Sequence, residues 1–190
     1  GKPEGNTQFE LTPKGTHIAR VYKMINLGTL KTEWQGVEKD TKKIRIYFEL
    51  PNEEKKYQDK DGNEVTDIHT ISSEYTLSMG DRANLRPIVE GIIGTTLTDD
   101  EAYNFDIESL IGMACLVTVK HNKSKDGTRE YATVASTSEL MKGMVAPAPV
   151  KETEVIDVNT ITDEQMSNLH EKIQEKIKSS REYQLKNSSD

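Results

Sequence analysis

The clearest pattern in the chain is the alternation of apolar and polar residues in KKIRIYFELP, residues 42–51. The apolar positions are Ile44, Ile46, Phe48 and Leu50. A period of two with β-branched and aromatic residues predicts a strand with one buried face. The other face carries Lys43, Arg45, Tyr47 and Glu49. The two cations and the tyrosine suit a phosphate backbone and a stacked base. Taken alone, the strand is better explained by an ordinary polar side that faces solvent, and only the neighbouring segments favour a binding face.

The preceding segment, THIARVYKMINLGT at 16–29, predicts a long strand interrupted by Gly28. A glycine suits the bend or bulge of a strand that curls around a small barrel. Strict alternation divides its residues into an inner set, Val21, Ile25 and Leu27, and an outer set, Arg20 and Tyr22. Lys23 falls on the predicted inner face and interrupts it.

A third strand is predicted over residues 68–79, and a helix follows it. The helix begins at Asp81 as a cap or at Pro87 as its first residue, and Gly94 ends it. The segments GMACLVTVKH and REYATVAST, residues 112–121 and 129–137, predict two further strands. An Asp-Gly turn between them predicts a hairpin.

The last part of the chain has a different composition. Residues 145–160 contain proline, lack periodicity and are typical of a linker. Residues 161–190 predict an amphipathic helix with Thr162 or Asp163 as its cap, followed by a polar tail. The apolar stripe of this helix consists of Met166, Leu169, Ile173 and Ile177. It docks either on its own domain or on a second copy or a partner, and we expect truncation after Pro149 to leave the preceding domain folded.

Three strands, one helix and two strands is the order of elements in the oligonucleotide-binding (OB) barrel, whose helix lies between strands three and four. We therefore predict a mainly β protein with a five-stranded OB-type barrel, one capping helix and the additional C-terminal helix. The predicted parts are a flexible arm at 1–14, the OB domain at 15–144, the linker at 145–160 and the helix with its tail at 161–190.

In an OB barrel, strands two and three and the loops 1–2 and 4–5 form much of the binding face. Eleven residues there, or on the neighbouring strand one, are candidates for stacking on bases or contacting phosphates: Arg20, Tyr22, Trp34, Lys43, Arg45, Tyr47, Lys120, Lys123, Lys125, Arg129 and Tyr131. Trp34 lies in the polar loop 30–41, where it either contacts a ligand or folds back over the core.

Charge is segregated along the chain, although the net charge is −7. Residues 15–50 hold seven cations against four acids, and residues 113–150 hold five against three. The intervening residues 51–112 hold five cations against fourteen acids. The two basic parts coincide with the predicted binding face, which favours a localised nucleic-acid site over a uniformly cationic surface.

Several classes of function are not supported by any motif. The chain lacks a phosphate-binding glycine loop and the common hydrolase and metalloprotease motifs, so we expect a binding protein without a cofactor or metal and not an enzyme. The single cysteine, Cys115, rules out an internal disulfide and lies in an apolar run that predicts a buried thiol. No stretch has the length of a membrane span, and we expect a soluble cytoplasmic protein.

Five segments in order resemble the OB-fold single-stranded DNA-binding proteins of bacteriophages and prophages. They are GTHIARVYKMINLGT, KKIRIYFELP, ISSEYTLSMGDRANLRPIVEG, LIGMACLVTVKHNKSKDGTREYATVAS and SELMKGMVAP, and the likeness covers about residues 9–147. It implies sequence-tolerant binding of single-stranded DNA during phage replication or recombination, in the cytoplasm of the bacterial host. The chain ends in KNSSD, which departs from the acidic tip with a final phenylalanine found in bacterial single-strand binders.

Two hypotheses for partners follow from this sequence. In the first, the barrel binds single-stranded DNA, and the C-terminal helix contacts a second copy or replication and recombination proteins. In the alternative, the β-barrel is a protein-interaction or virion-assembly module without a nucleic-acid role.

Overall fold

The computed structural model describes residues 10–188, and its main element is a curled, mostly antiparallel sheet. The strands are β1 (Gly15–Trp34), β2 (Val37–Gln58), β3 (Glu64–Thr76), β4 (Ala114–Lys123), β5 (Glu130–Ser138) and β6 (Glu154–Asp157). Their order is β3-β2-β1-β4-β5, and β6 pairs in parallel with β1. The two end strands, β3 and β5, contact each other. The prediction of a mainly β, barrel-like fold is therefore confirmed.

Short helices lie between β3 and β4 and after β6. They are α1 (Leu85–Ile93), α2 (Asp99–Tyr103), a 3₁₀ turn (Ile107–Leu110), α3 (Asp163–Ser167), α4 (Glu171–Ser179) and α5 (Arg181–Asn187). Between residues 10 and 188, no helix has both the length and the apolar character needed to cross a membrane.

The inner core lies between the curled sheet and α1. The alternating apolar residues of β2 all point into it, and Phe48 and Leu50 are fully buried. Cys115 of β4 is also fully buried, as predicted, and this burial raises the pKa of its thiol to about 12.

Helix α1 closes this core, although its start differs from both predicted positions. Its N-cap is Asn84, and Pro87 is its third residue, where a missing N–H costs no helical hydrogen bond. Gly94 ends the helix in a left-handed conformation with φ 74°, as predicted.

Two bulges in β1 overturn the predicted division of its residues. The register against β2 shifts between Val21 and Lys23 and again between Asn26 and Gly28. Each bulge inserts one residue and breaks the alternation. As a result, Ile25 and Leu27 do not share the inner core with Val21 but belong to a second hydrophobic cluster.

This second cluster joins β1 to the C-terminal part of the chain. Its buried members are Ile25, Leu27, Leu30, Ile156, Val158, Ile161, Leu169, Ile173 and Ile177, and Met166 packs against them. The predicted apolar stripe is therefore confirmed, and α4 and α5 contact β1 of the same chain. The single predicted helix is instead three short helices, the first of which has a complete capping box on Thr162, one of the two predicted caps.

The prediction of a linker over residues 145–160 differs from what the structure shows. It contains β6, which forms four residue pairs with β1 from Lys23–Glu154 to Asn26–Asp157. The sequence signal for this strand is weak, because β6 has only four residues and lies in a proline-containing stretch.

The arm predicted at 1–14 lies mostly outside the described residues. At its described end, Thr12 is buried and its hydroxyl donates to the carbonyl oxygen of Thr70, 3.3 Å away. The carbonyl oxygen of Thr12 lies 2.7 Å from Nε2 of His121. Thr12 thus contacts both β3 and β4, and this part of the arm is packed rather than loose.

Candidate nucleic-acid interface

The eleven candidate residues occupy three separate places. Five lie on the outer face of β1 and β2, namely Arg20, Tyr22, Lys43, Arg45 and Tyr47; Trp34 ends β1; and Lys120, Lys123, Lys125, Arg129 and Tyr131 surround the β4–β5 turn. Strand β4 pairs with residues 15–20, at the opposite end of β1 from Trp34. The structure therefore brings Tyr22, Arg45 and Tyr47 of the first group together but keeps the two hairpin ends apart.

On the outer face, Tyr47 lies at the centre of a compact cluster. Its ring centroid is 6.1 Å from that of Tyr22, in an edge-to-face arrangement. The Lys23 ammonium and the Arg45 guanidinium lie 5.2 and 5.8 Å from the Tyr47 ring, within cation–π range. Burial raises the pKa of Tyr47, and the charge of Arg45 opposes this. Tyr47 also packs against the second cluster and is half-buried, so protein covers part of its ring.

The cations of this face are engaged within the protein. Arg45 donates from Nε to Ser72 Oγ at 3.0 Å and lies 3.8 Å from the Glu74 carboxylate. Glu74 also accepts a hydrogen bond of 2.7 Å from Lys176 of α4. Arg20 donates to the carbonyl oxygen of Pro147 at 2.8 Å. The C-terminal part of the chain therefore covers much of the face that sequence reasoning assigned to nucleic acid.

A buried carboxylate, Glu49, anchors this cover, although the alternation in the sequence placed it on a polar face exposed to solvent. Glu49 is fully buried and accepts hydrogen bonds from the backbone N–H groups of Val150 and Lys151 at 3.0 and 3.1 Å. Lys151 forms an ion pair with Asp67 of β3 at 2.8 Å. Burial acts to raise the pKa of Asp67, but the hydrogen bonds from Lys151 and the backbone of Ile68, together with the positive charges of Lys151 and Lys55, outweigh it and leave the pKa lowered.

The β1–β2 hairpin resolves the two alternatives for Trp34. The indole is 73% exposed, and Val37, its partner across the hairpin, is 65% exposed. Trp34 therefore does not fold back over the core. An exposed indole on a tight turn offers a flat surface for contact with a ligand.

The β4–β5 hairpin carries an exposed aromatic ring and several exposed cations. Tyr131 is 48% exposed. In the register of the hairpin it lies opposite Asn122, and Lys120 lies opposite Thr133, two residues further along each strand. Directly opposed residues in an antiparallel pair share a face, so Tyr131 and Lys120 lie on the same surface.

This hairpin carries four cations and two acids, and one of the acids, Glu130, lies opposite Lys123 in the strand register. Lys120, Lys123, Lys125 and Arg129 are all exposed, and within residues 10–188 none of them forms an ion pair. The nearby carboxylate of Asp126 is occupied by its own turn. It accepts hydrogen bonds from the Ser124 hydroxyl and from the backbone and hydroxyl of Thr128, which lower its pKa to about 2.

Among the described residues, no group of three or more His, Cys, Asp or Glu side chains is arranged to hold a metal ion. Comparison with known proteins gave no match, either among models of protein families or among curated sequences. The function is therefore inferred from the residues of the site.

Proposed function

We propose that the protein binds single-stranded DNA with little sequence preference and that the β4–β5 hairpin is its primary contact. The observation that carries this proposal is the exposed Tyr131 ring, which shares a surface with Lys120 on a hairpin that also carries exposed Lys123, Lys125 and Arg129. Within residues 10–188, none of these four cations forms an ion pair. Stacking of one base on an aromatic ring contributes roughly 1–3 kcal/mol and tolerates any base. The cations contact phosphates and release counterions, which makes the binding sensitive to salt.

The other two groups have different roles in this proposal. Trp34 provides a second stacking surface at the far end of β1. A single strand of DNA that contacts both hairpins would therefore cross the length of the sheet. Arg45 and Tyr47 stabilise the covered outer face, because their polar and aromatic groups are engaged by Glu74, Ser72 and the second cluster.

We further propose that the sheet is an OB-type barrel. Strand β1 pairs with both β2 and β4, β3 and β5 approach each other, and α1 lies between β3 and β4 in the chain. These features agree with the OB arrangement. Together with the resemblance to phage and prophage single-strand binders, they support a role in phage DNA replication or recombination in the bacterial cytoplasm.

The test is fluorescence anisotropy of a labelled oligo-dT of about 30 nucleotides at salt concentrations from about 50 to 200 mM. Tyr131→Ala should weaken binding by about 5- to 150-fold, the equivalent of 1–3 kcal/mol. Replacing Lys123 and Lys125 together by Ala should reduce the salt slope by about 1.4, since each lost phosphate contact contributes about 0.7 for a single strand.

The β2–β3 hairpin offers a matched control. Tyr57 is 42% exposed and has the Lys55 ammonium 5.5 Å from its ring, but it lies in the acidic middle part of the sequence. Tyr57→Ala should leave the affinity unchanged. Equal loss in the two tyrosine variants, or no salt-sensitive binding at micromolar protein, would refute the proposal and favour the protein-interaction alternative.

A further inference from the structure

A cleft of about 1000 Å³ lies away from the β4–β5 hairpin. One wall is formed by residues 77–81, α2 and the 3₁₀ turn, and the other by residues of β1, β2 and β6. Its accessible apolar residues include the partly exposed Leu77, Met79 and Phe105, which lie beside the buried Met24, Ile44 and Ile156. A surface of this composition favours an occupant with apolar side chains.

The charged residues of the cleft are strongly biased to one sign. Six carboxylates line it: Asp81, Asp99, Asp100, Asp106, Glu108 and Asp157. Among residues 10–188 the one cation that lines the cleft, Arg86, is already engaged, because it pairs with Asp99 at 2.8 Å and donates to the carbonyl oxygen of Leu97 at 2.7 Å. This surface repels phosphates and attracts lysine and arginine side chains.

A strand edge forms part of the same wall. Residues Val155, Ile156 and Asp157 of β6 line the cleft, and among the described residues β6 pairs with no strand other than β1. An unpaired edge is a template for an added strand from another chain. Beside it, Val155 is 39% exposed, and the Tyr103 ring is 87% exposed.

We propose that this cleft binds an extended, basic and apolar segment of a partner protein. The apolar floor receives alternate side chains of the segment, the edge of β6 pairs with its backbone, and the carboxylates contact its lysine or arginine residues. Alternation along an extended chain presents these two kinds of side chain on opposite sides. The partner surface is separate from the hairpin residues, so partner and DNA binding can occur together.

The probe is a labelled nine-residue peptide in which lysine alternates with leucine and valine, titrated against the full chain by anisotropy. A peptide with glutamate in place of every lysine serves as the charge control. We expect the basic peptide to bind in the micromolar range and the acidic peptide not to bind. Binding of both peptides alike would show adhesion to apolar surface and overturn the proposal.

Variants then locate the peptide. The pair Asp81→Lys and Glu108→Lys should weaken peptide binding at least about 10-fold while leaving oligo-dT affinity unreduced. The pair Asp61→Lys and Glu152→Lys makes the same change in net charge outside the cleft and should retain affinity for the peptide. Equal weakening by both pairs would show non-specific attraction to an acidic protein and refute the site. Thermal midpoints of both pairs establish that they are folded.

The remaining outcome concerns a second copy of this chain. Sedimentation compares the unmodified protein with the Asp81→Lys and Glu108→Lys pair. We expect the two to have the same state of association. If the unmodified protein self-associates and the variant pair does not, the cleft binds another copy and the assignment to a partner protein is wrong. The peptide and oligo-dT titrations are independent, so failure of one proposal is distinguishable from failure of the other.

Discussion

Replacement of Ile177 by alanine tests whether the C-terminal helices are an integral part of the folded domain. Ile177 lies in α4 and is fully buried in the second cluster, together with Ile25 and Leu27 of β1. If these contacts belong to the same cooperative unit as the inner core, a cavity at Ile177 will destabilise the whole sheet. If α4 is an appendage, the same change will release α4 alone.

The expected magnitude follows from the burial of this side chain. The substitution removes three carbon atoms, and loss of their transfer free energy costs about 2.4 kcal/mol at about 0.8 kcal/mol per group. A residual cavity adds to this, within the range of about 2–5 kcal/mol for isoleucine-to-alanine changes in cores. We expect the free energy of unfolding to fall by about 3 kcal/mol.

Urea unfolding followed by far-UV circular dichroism measures the change, and hydrogen exchange of β2 and α4 reports whether both lose protection together. Leu185→Ala is the matched control, because Leu185 of α5 is 65% exposed and its truncation should cost less than about 0.5 kcal/mol. An unchanged midpoint for Ile177→Ala would refute the reasoning. So would two separate transitions of which the substitution moves only the first.

Three further changes are informative. Truncation after Pro149 removes β6 and the partners of Glu49, and in contrast to the expectation from sequence it should lower the thermal midpoint or prevent folding, as measured by circular dichroism; an unchanged midpoint would restore a domain boundary there. Gly91→Ala should also lower the midpoint, because the new Cβ overlaps the Thr137 backbone and this overpacking outweighs the gain of up to about 1 kcal/mol in helix propensity; a raised midpoint would show that α1 can shift. Burial holds the pKa of His69 below 6.5, so the unfolded chain binds more protons there and stability should fall as the pH drops through about 6.5. The variant His69→Leu should show a smaller fall in midpoint between about pH 7.5 and 5.5, and an equal fall would assign the effect to other groups.

The sequence predicts β2 well because this strand stays regular where it is buried. Its register against β3 shifts only beyond Leu50, so the alternation from Ile44 to Leu50 maps directly onto the inner face. In β1, the two bulges depend on how neighbouring strands pair, and alternation alone does not show where they occur. This is why Ile25 and Leu27 were placed on the wrong side.

In the candidate site, too, local patterns in the sequence do not reveal contacts between distant parts of the chain. The residue types around Tyr131 and Trp34 were identified from the sequence, and both rings are exposed in the structure. The accessibility of Arg45 and Tyr47 depends instead on contacts with residues much later in the chain, such as Lys176. Glu49 gave no local signal at all, since a buried carboxylate is satisfied here by N–H groups about 100 residues away.

The two faces of β1 also have a consequence for the order in which the protein folds. The backbone N–H of Thr29 donates to the Glu182 carboxylate, 153 positions further along the chain. The apolar side chains of Ile25, Leu27 and Leu30 therefore remain uncovered during synthesis until α4 and α5 have been made. Pairings this distant in sequence make folding slow, and intermediates that expose apolar strands aggregate readily. We expect nascent chains that end before residue 170 to depend on chaperones, whereas a chain that includes α4 and α5 buries this strand on both sides.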